Sequence, residues 1–197
     1  MSDIKKSRGR GRPRRFDPEA AVSIARPLFH ARGYDAVSVA DVAGALGINP
    51  PSFYAAFGSK AGLYARILDD YAQTGAIPLG EILRDDRPVA DCLVAVLEGA
   101  ARYYAADPDA AGCMVIEGAR SNDPEARGMA LCFSQAAEAR IRNFVAARHP
   151  DLAERLTDFV VTTMAGLSAR ARSGAGLNRL LETARLAGLG VRQAFAS

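Results

Sequence analysis

Residues 38–60, SVADVAGALGINPPSFYAAFGSK, restrict the fold of this chain more than any other stretch. Ser38 is a good N-cap, and Asp41 three residues later completes a capping-box-like pair at the start of a helix. Val39, Val42, Ala43 and Leu46 recur at i, i+3, i+4 and i+7, one apolar stripe along two helical turns. Gly47 stands where a helix C-terminus favours positive φ. Asn49 can cap a second helix, whose first turn tolerates Pro50 because no backbone donor is needed there. Phe53 and Phe57, at i and i+4, face inward together, leaving Ser52, Tyr54 and Ala55 on other faces. Gly58 ends this helix and Ser59 caps a third. The pattern predicts a helix-turn-helix of the DNA-binding kind, with its recognition helix over residues 50–56.

Around this core, residues 17–64 resemble the DNA-binding domain of the tetracycline-repressor (TetR/AcrR) family of bacterial transcriptional regulators. The resemblance is carried by GYDAVSVADVAGALGINPPSFYAAFGSKAGLY, with Gly33, Ser38, Val42, Ala43, Gly47, Tyr54, Phe57 and Lys60 at the family's marked positions. It implies an all-α protein with a three-helix DNA-binding domain at residues 17–60. A larger helical ligand-binding and dimerisation domain would follow at residues 61–197. It also implies that Asn49, Pro50, Pro51, Ser52, Tyr54 and Ala55 lie where the family meets bases and nearby phosphates, with Ser38 and Lys60 on phosphates. The family often carries an acidic residue just after this lysine; here Ala61 and Gly62 stand instead. Lys60 is itself an anomaly, because a cation at the positive end of a helix dipole is locally unfavourable. An external anion such as a DNA phosphate would explain it.

Charge placement points the same way. The net charge of +3 is modest, but residues 1–16 hold seven basic residues against one acidic residue, and residues 61–197 hold 15 basic against 17 acidic. A basic head on a slightly acidic body suits a nucleic-acid binder with a separate second function. Residues 1–16 are too polar to pack and are expected to be a disordered arm. Within it Arg10-Gly11-Arg12-Pro13 resembles an AT-hook core, in which extended arginines enter a narrow, strongly negative A·T-rich minor groove. Arg10, Arg12 and Arg14 are therefore candidate DNA contacts, and a generic basic tail on phosphates is the alternative.

The rest reads as helix throughout. A first helix capped by Asp17 carries Ala21, Ile24, Ala25, Leu28 and Phe29, with Pro27 inside it predicting a kink. Another runs from Ser59 to about Gln73 or Gly75. The body follows as a short segment after Pro78, a helix from about Pro88 to Tyr104, an apolar segment at residues 112–116, and three long helices after Pro124. The first of the last two helices carries apolar residues beyond one stripe, which requires a second surface to bury them. The resemblance implies that these two helices pair with their twins in a homodimer, with Ala165, Gly166, Ala187 and Gly188 permitting close approach. A small-molecule effector is implied in the body, and Tyr103, Cys113, Met114, Phe133, Phe159 and Met164 are candidate pocket walls.

Other function classes fare poorly. His30 and His149 are far apart and lack company, so no catalytic set assembles and no metal site is expected. The three cysteines (Cys92, Cys113, Cys132) lack CxxC spacing, which argues against a disulfide framework or zinc. No cofactor is expected. No apolar run suggests a signal or membrane span, so a cytoplasmic protein is expected. Two alternatives stay open. One is an architectural DNA-binding protein using the hook-like arm. The other is a thiol sensor of the same fold, in which Cys113 at a helix N-terminus has its thiolate favoured by the dipole, against nearby Asp107 and Asp109.

Overall fold

A computed structural model describes residues 17–196. Among them all long-range regular structure is helical, as the sequence patterns predict. The head consists of α1 (Pro18–Arg32), α2 (Val39–Leu46) and α3 (Pro50–Phe57). α4 (Lys60–Thr74) leads into the body, made of α5 (Leu79–Ile82), α6 (Val89–Tyr104), α7 (Met114–Gly118), α8 (Pro124–Ala146), α9 (Ala153–Arg172) and α10 (Leu177–Ala196). Short 3-10 turns precede α7 and α9.

Local chemistry sets the helix ends. The Asp17 carboxylate accepts from the Glu19 amide, and the N–H of Gly33 (φ 76°) closes α1 on the Phe29 carbonyl. Pro27 sits within the continuous span of α1. In α2 the capping box is complete: the Ser38 hydroxyl accepts the Asp41 amide at 3.1 Å, and the Asp41 carboxylate accepts the Ser38 amide at 2.8 Å. Asn49 caps α3 by accepting the Ser52 amide at 2.9 Å, and Ser59 caps α4 by accepting the Gly62 amide at 2.9 Å.

Two apolar clusters form the core. The first joins Val22, Phe29, Val42, Phe53 and Phe57 of the head to Leu63, Tyr64, Ile67, Leu68 and Tyr71 of α4, and continues into Met114, Ala126 and Ala130. The head's core therefore extends past residue 60, because α4 is the layer on which α1 rests. The second fills the body, with α10 lying along α6 and α9 beside both. Cys113 packs against both clusters.

Two residues expected to face inward, one on the stripe of α1 and one as a pocket wall, are exposed instead. Ile24 of α1 and Phe159 of α9 are 50% and 41% exposed. At 100° per residue, Ile24 projects roughly 60° outside the arc occupied by Ala21, Val22, Ala25 and Phe29, and Phe159 stands off the arc of Leu156, Val160 and Leu167 by a similar angle. Gly188, expected at a dimer surface, is buried within the protomer: a Cβ there would lie 3.1 Å from Val94 of α6.

Candidate DNA interface and body cavity

α3 divides cleanly by face. Phe53 and Phe57 are buried, while Asn49, Pro50, Pro51, Ser52, Tyr54 and Ala55 are all exposed on one continuous surface. Phe53 stacks edge-on against Tyr54 (5.5 Å between centroids), which sets the angle at which the half-exposed tyrosine leaves the helix. This face offers no charged side chain. It can present apolar carbons, a phenol and a hydroxyl, chemistry suited to thymine methyls and phosphates rather than to bidentate guanine contacts. Ser38 and Asn49 are exposed, but their side chains are engaged as caps.

Lys60 is engaged more deeply than the sequence suggests. Its ammonium donates to the carbonyls of Tyr34 (3.1 Å) and Val37 (3.0 Å) and lies 3.9 Å from the centre of the Tyr34 ring. Two of its three N–H bonds thus fasten the loop before α2, which leaves the third for an anion such as a phosphate. Arg10, Arg12 and Arg14 lie outside the described residues.

In the body a cavity of about 670 Å³ opens between α4, α5, α7, α8 and α9. Cys113, Phe133 and Met164 line it, joined by Tyr71, Tyr104 and Arg140. Three other candidates do not. Tyr103 is exposed on the outer flank of α6, Met114 is buried in the head cluster, and Phe159 faces outward from α9. Tyr104 replaces its neighbour because it continues the buried series Leu93, Leu97, Ala100 of α6, a spacing already legible in the sequence. Tyr71 and Arg140 had no such signal, since their role depends on how α4 and α8 cross.

The Cys113 thiol accepts from the Tyr71 hydroxyl at 3.7 Å, and its amide donates to Ser168 Oγ at 2.9 Å. Cys113 is the residue before α7. Burial pushes its thiol up and outweighs the backbone amides and tyrosine hydroxyls that favour the thiolate. The helix start does act in the expected direction, but desolvation is the larger effect. Among the described residues no cluster of three or more His, Cys, Asp or Glu is placed to hold a metal, and no helix is long and apolar enough to cross a membrane.

Separate polar contacts tie the head to the body. His30 Nε2 lies 3.1 Å from the Gly112 carbonyl, which makes Nε2 the donor because a carbonyl only accepts. The Arg172 guanidinium donates to the carbonyls of His30, Ala31 and Ala111. The Asp35 carboxylate accepts from the Ser121 hydroxyl and the Asn122 amide at the start of α8.

Residues 22–67 match the family model "Bacterial regulatory proteins, tetR family". Over 192 residues the chain is 56% identical to the HTH-type transcriptional repressor BdcR of Escherichia coli K12, covering 98% of both chains. The chain belongs to the tetR family. A second relative in the same organism, the HTH-type transcriptional repressor ComR, is 30% identical, with 92% of this chain and 90% of ComR covered. Among solved structures, a cysteine mutant of the TetR family transcriptional regulator CifR, complexed with 26 bp double-strand operator DNA, superposes with a TM-score of 0.76 at 30% identity. That match covers 90% of this chain and 98% of CifR. In this tetR-family member the head is therefore the DNA-binding helix-turn-helix, and the protein is a regulator of transcription.

Proposed function

We propose that the chain is a repressor that binds a palindromic operator as a homodimer and is released when a small molecule enters the body cavity. The observation that carries the reading is the division of α3, with Phe53 and Phe57 anchoring it and Pro50, Pro51, Ser52, Tyr54 and Ala55 forming one uninterrupted exposed face. The names of BdcR and ComR support repression, and the DNA in the CifR complex supports an operator duplex as partner. The exposed apolar side chains of α9 and α10 support the homodimer, and the cavity supports an effector. The protein would work in the bacterial cytoplasm, on the chromosome. Without Arg, Lys, Gln or His between residues 50 and 56, base reading rests on contacts with thymine methyls and on phosphate anchoring.

Selection of DNA from a random pool tests this. The expected product is a pair of inverted half-sites about one helical turn apart, or a multiple of that, with Tyr54→Ala relaxing the preference at individual positions. Deleting residues 1–15 should lower affinity and remove most of any preference for A·T-rich flanks, with Arg10 and Arg12 responsible. If no single site outcompetes bulk DNA, the protein is architectural instead.

A further inference from the structure

The cavity's lining is chemically lopsided. Its apolar wall includes Ile77, Val115, Ile116, Phe133 and Met164, while the hydroxyls of Tyr71 and Tyr104 and the Cys113 thiol form a weakly polar patch. Three charged side chains reach it: Glu138, Arg120 and Arg140. Glu138 is already committed to Arg142, one turn along α8, and Arg120 lies 3.6 Å from Glu117. Arg140 is different. Among the described residues no carboxylate or other acceptor pairs with this exposed residue at the cavity edge, and its guanidinium lies against α5 where Gly80 has no side chain. A Cβ on Gly80 would come within 2.7 Å of Arg140 Nη2, so the glycine makes room for the charged group at this edge.

We infer that the cavity takes an anionic amphiphile, a carboxylate or similar acid on an apolar body, with the acid on Arg140 and the body against the aliphatic and phenyl wall. This rests on the effector reading given above and assigns it a chemical class. A planar guanidinium binds a carboxylate through two parallel N–H···O bonds, and a pocket of about 300–1,000 Å³ suits a small organic molecule. A cationic guest would instead face Arg120 and Arg140 with its own charge, and the one lining carboxylate is occupied. A neutral guest would leave Arg140 with no partner to gain.

Three guests of matched chain length separate these cases: decanoate, 1-decanol and decylamine, titrated calorimetrically into the full-length protein below micellar concentrations. Decanoate should bind about tenfold or more tightly than decanol, and decylamine more weakly than either. Arg140→Gln should remove most of the decanoate advantage while leaving decanol binding in place. That unchanged decanol affinity also checks that the variant is folded. Equal affinity for decanoate and decanol, an unchanged decanoate advantage in Arg140→Gln, or no binding by any of the three would overturn the assignment. Release of pool-selected DNA is read separately. Arg140-dependent binding of decanoate without DNA release would leave the anion site standing and overturn the effector reading. Release by decanol and decanoate at equal concentrations would do the reverse.

Discussion

Lys60 has one duty visible in the fold, and one substitution tests whether it has a second. Its ammonium fastens the carbonyls of Tyr34 and Val37 and lies on the Tyr34 ring, leaving one N–H for a phosphate. Hydrogen bonds to charged groups contribute about 1.5–3 kcal/mol each in favourable settings, and this partly exposed site belongs at the low end. Lys60→Ala should therefore destabilise the protein by about 1–3 kcal/mol, measured by urea unfolding. If the remaining N–H also anchors a phosphate, the variant binds all sequences more weakly, and the slope of affinity against salt falls by about one. An unchanged slope would leave Lys60 as a fastener of the loop only. At Cys113 the balance is already decided: burial raises the thiol, so a neutral SH sits on the cavity wall.

At the scale of elements, α10 shows how two apolar faces on one helix are assigned. Leu180, Leu181, Ala184, Gly188 and Val191 turn toward α6, and Gly188 supplies the close approach there. Leu186 and Leu189 remain 69% and 64% exposed, and Phe159 of α9 touches the same surface, since a Cβ on Gly190 would lie 3.6 Å from its ring. Burying a leucine is worth about 1.5–3 kcal/mol, so this is the surface on which the proposed homodimer would gain by pairing. If the proposed homodimer forms through this surface, Leu189→Arg should convert it to monomer in sedimentation velocity while leaving the helical circular dichroism intact. A dimer that persists in both Leu189→Arg and Leu186→Arg would place the interface elsewhere.

Across the whole molecule, the head is held to the body by groups that converge on residues 111–113. Arg172 ties the last carbonyls of α1 to Ala111, His30 donates to Gly112, and Gly112 has φ +84° with Arg172 Cγ 2.8 Å from where its Cβ would be. A side chain at Gly112 would meet both backbone strain and the Arg172 stem. His30 makes this junction sensitive to pH. Burial lowers its pKa below the ordinary value near 6.5, so the fold favours the neutral ring. Its contribution is fully present above about pH 6.5, where the unfolded chain is also neutral. It is lost as pH falls from there through the lower folded value, because the unfolded chain takes up the proton first. The melting temperature should thus fall between about pH 7.5 and about pH 5.5, and His30→Gln should flatten that fall. Identical slopes in both proteins would show that the junction does not titrate.

The DNA-binding head was legible in the sequence because its determinants are local. Caps at Ser38, Asn49 and Ser59, glycines at helix ends and the Phe53/Phe57 pair act over a few residues, and each is found where its spacing puts it. Helix limits in the body were readable for the same reason. What the sequence left open is decided by crossing angles between helices distant in the chain. Periodicity identifies an apolar stripe but not how wide an arc a neighbour covers, so Ile24, expected in the core, and Phe159, expected on the pocket wall, both face outward. Tyr103 gave way to Tyr104 at the cavity, and Gly188 met Val94 within the protomer rather than a second copy. Lys60 shows the same limit for charge. Local electrostatics marked a cation at this helix start and explained it by a DNA phosphate; that the Tyr34 and Val37 carbonyls also receive it depends on a folded loop 23 to 26 residues away along the chain.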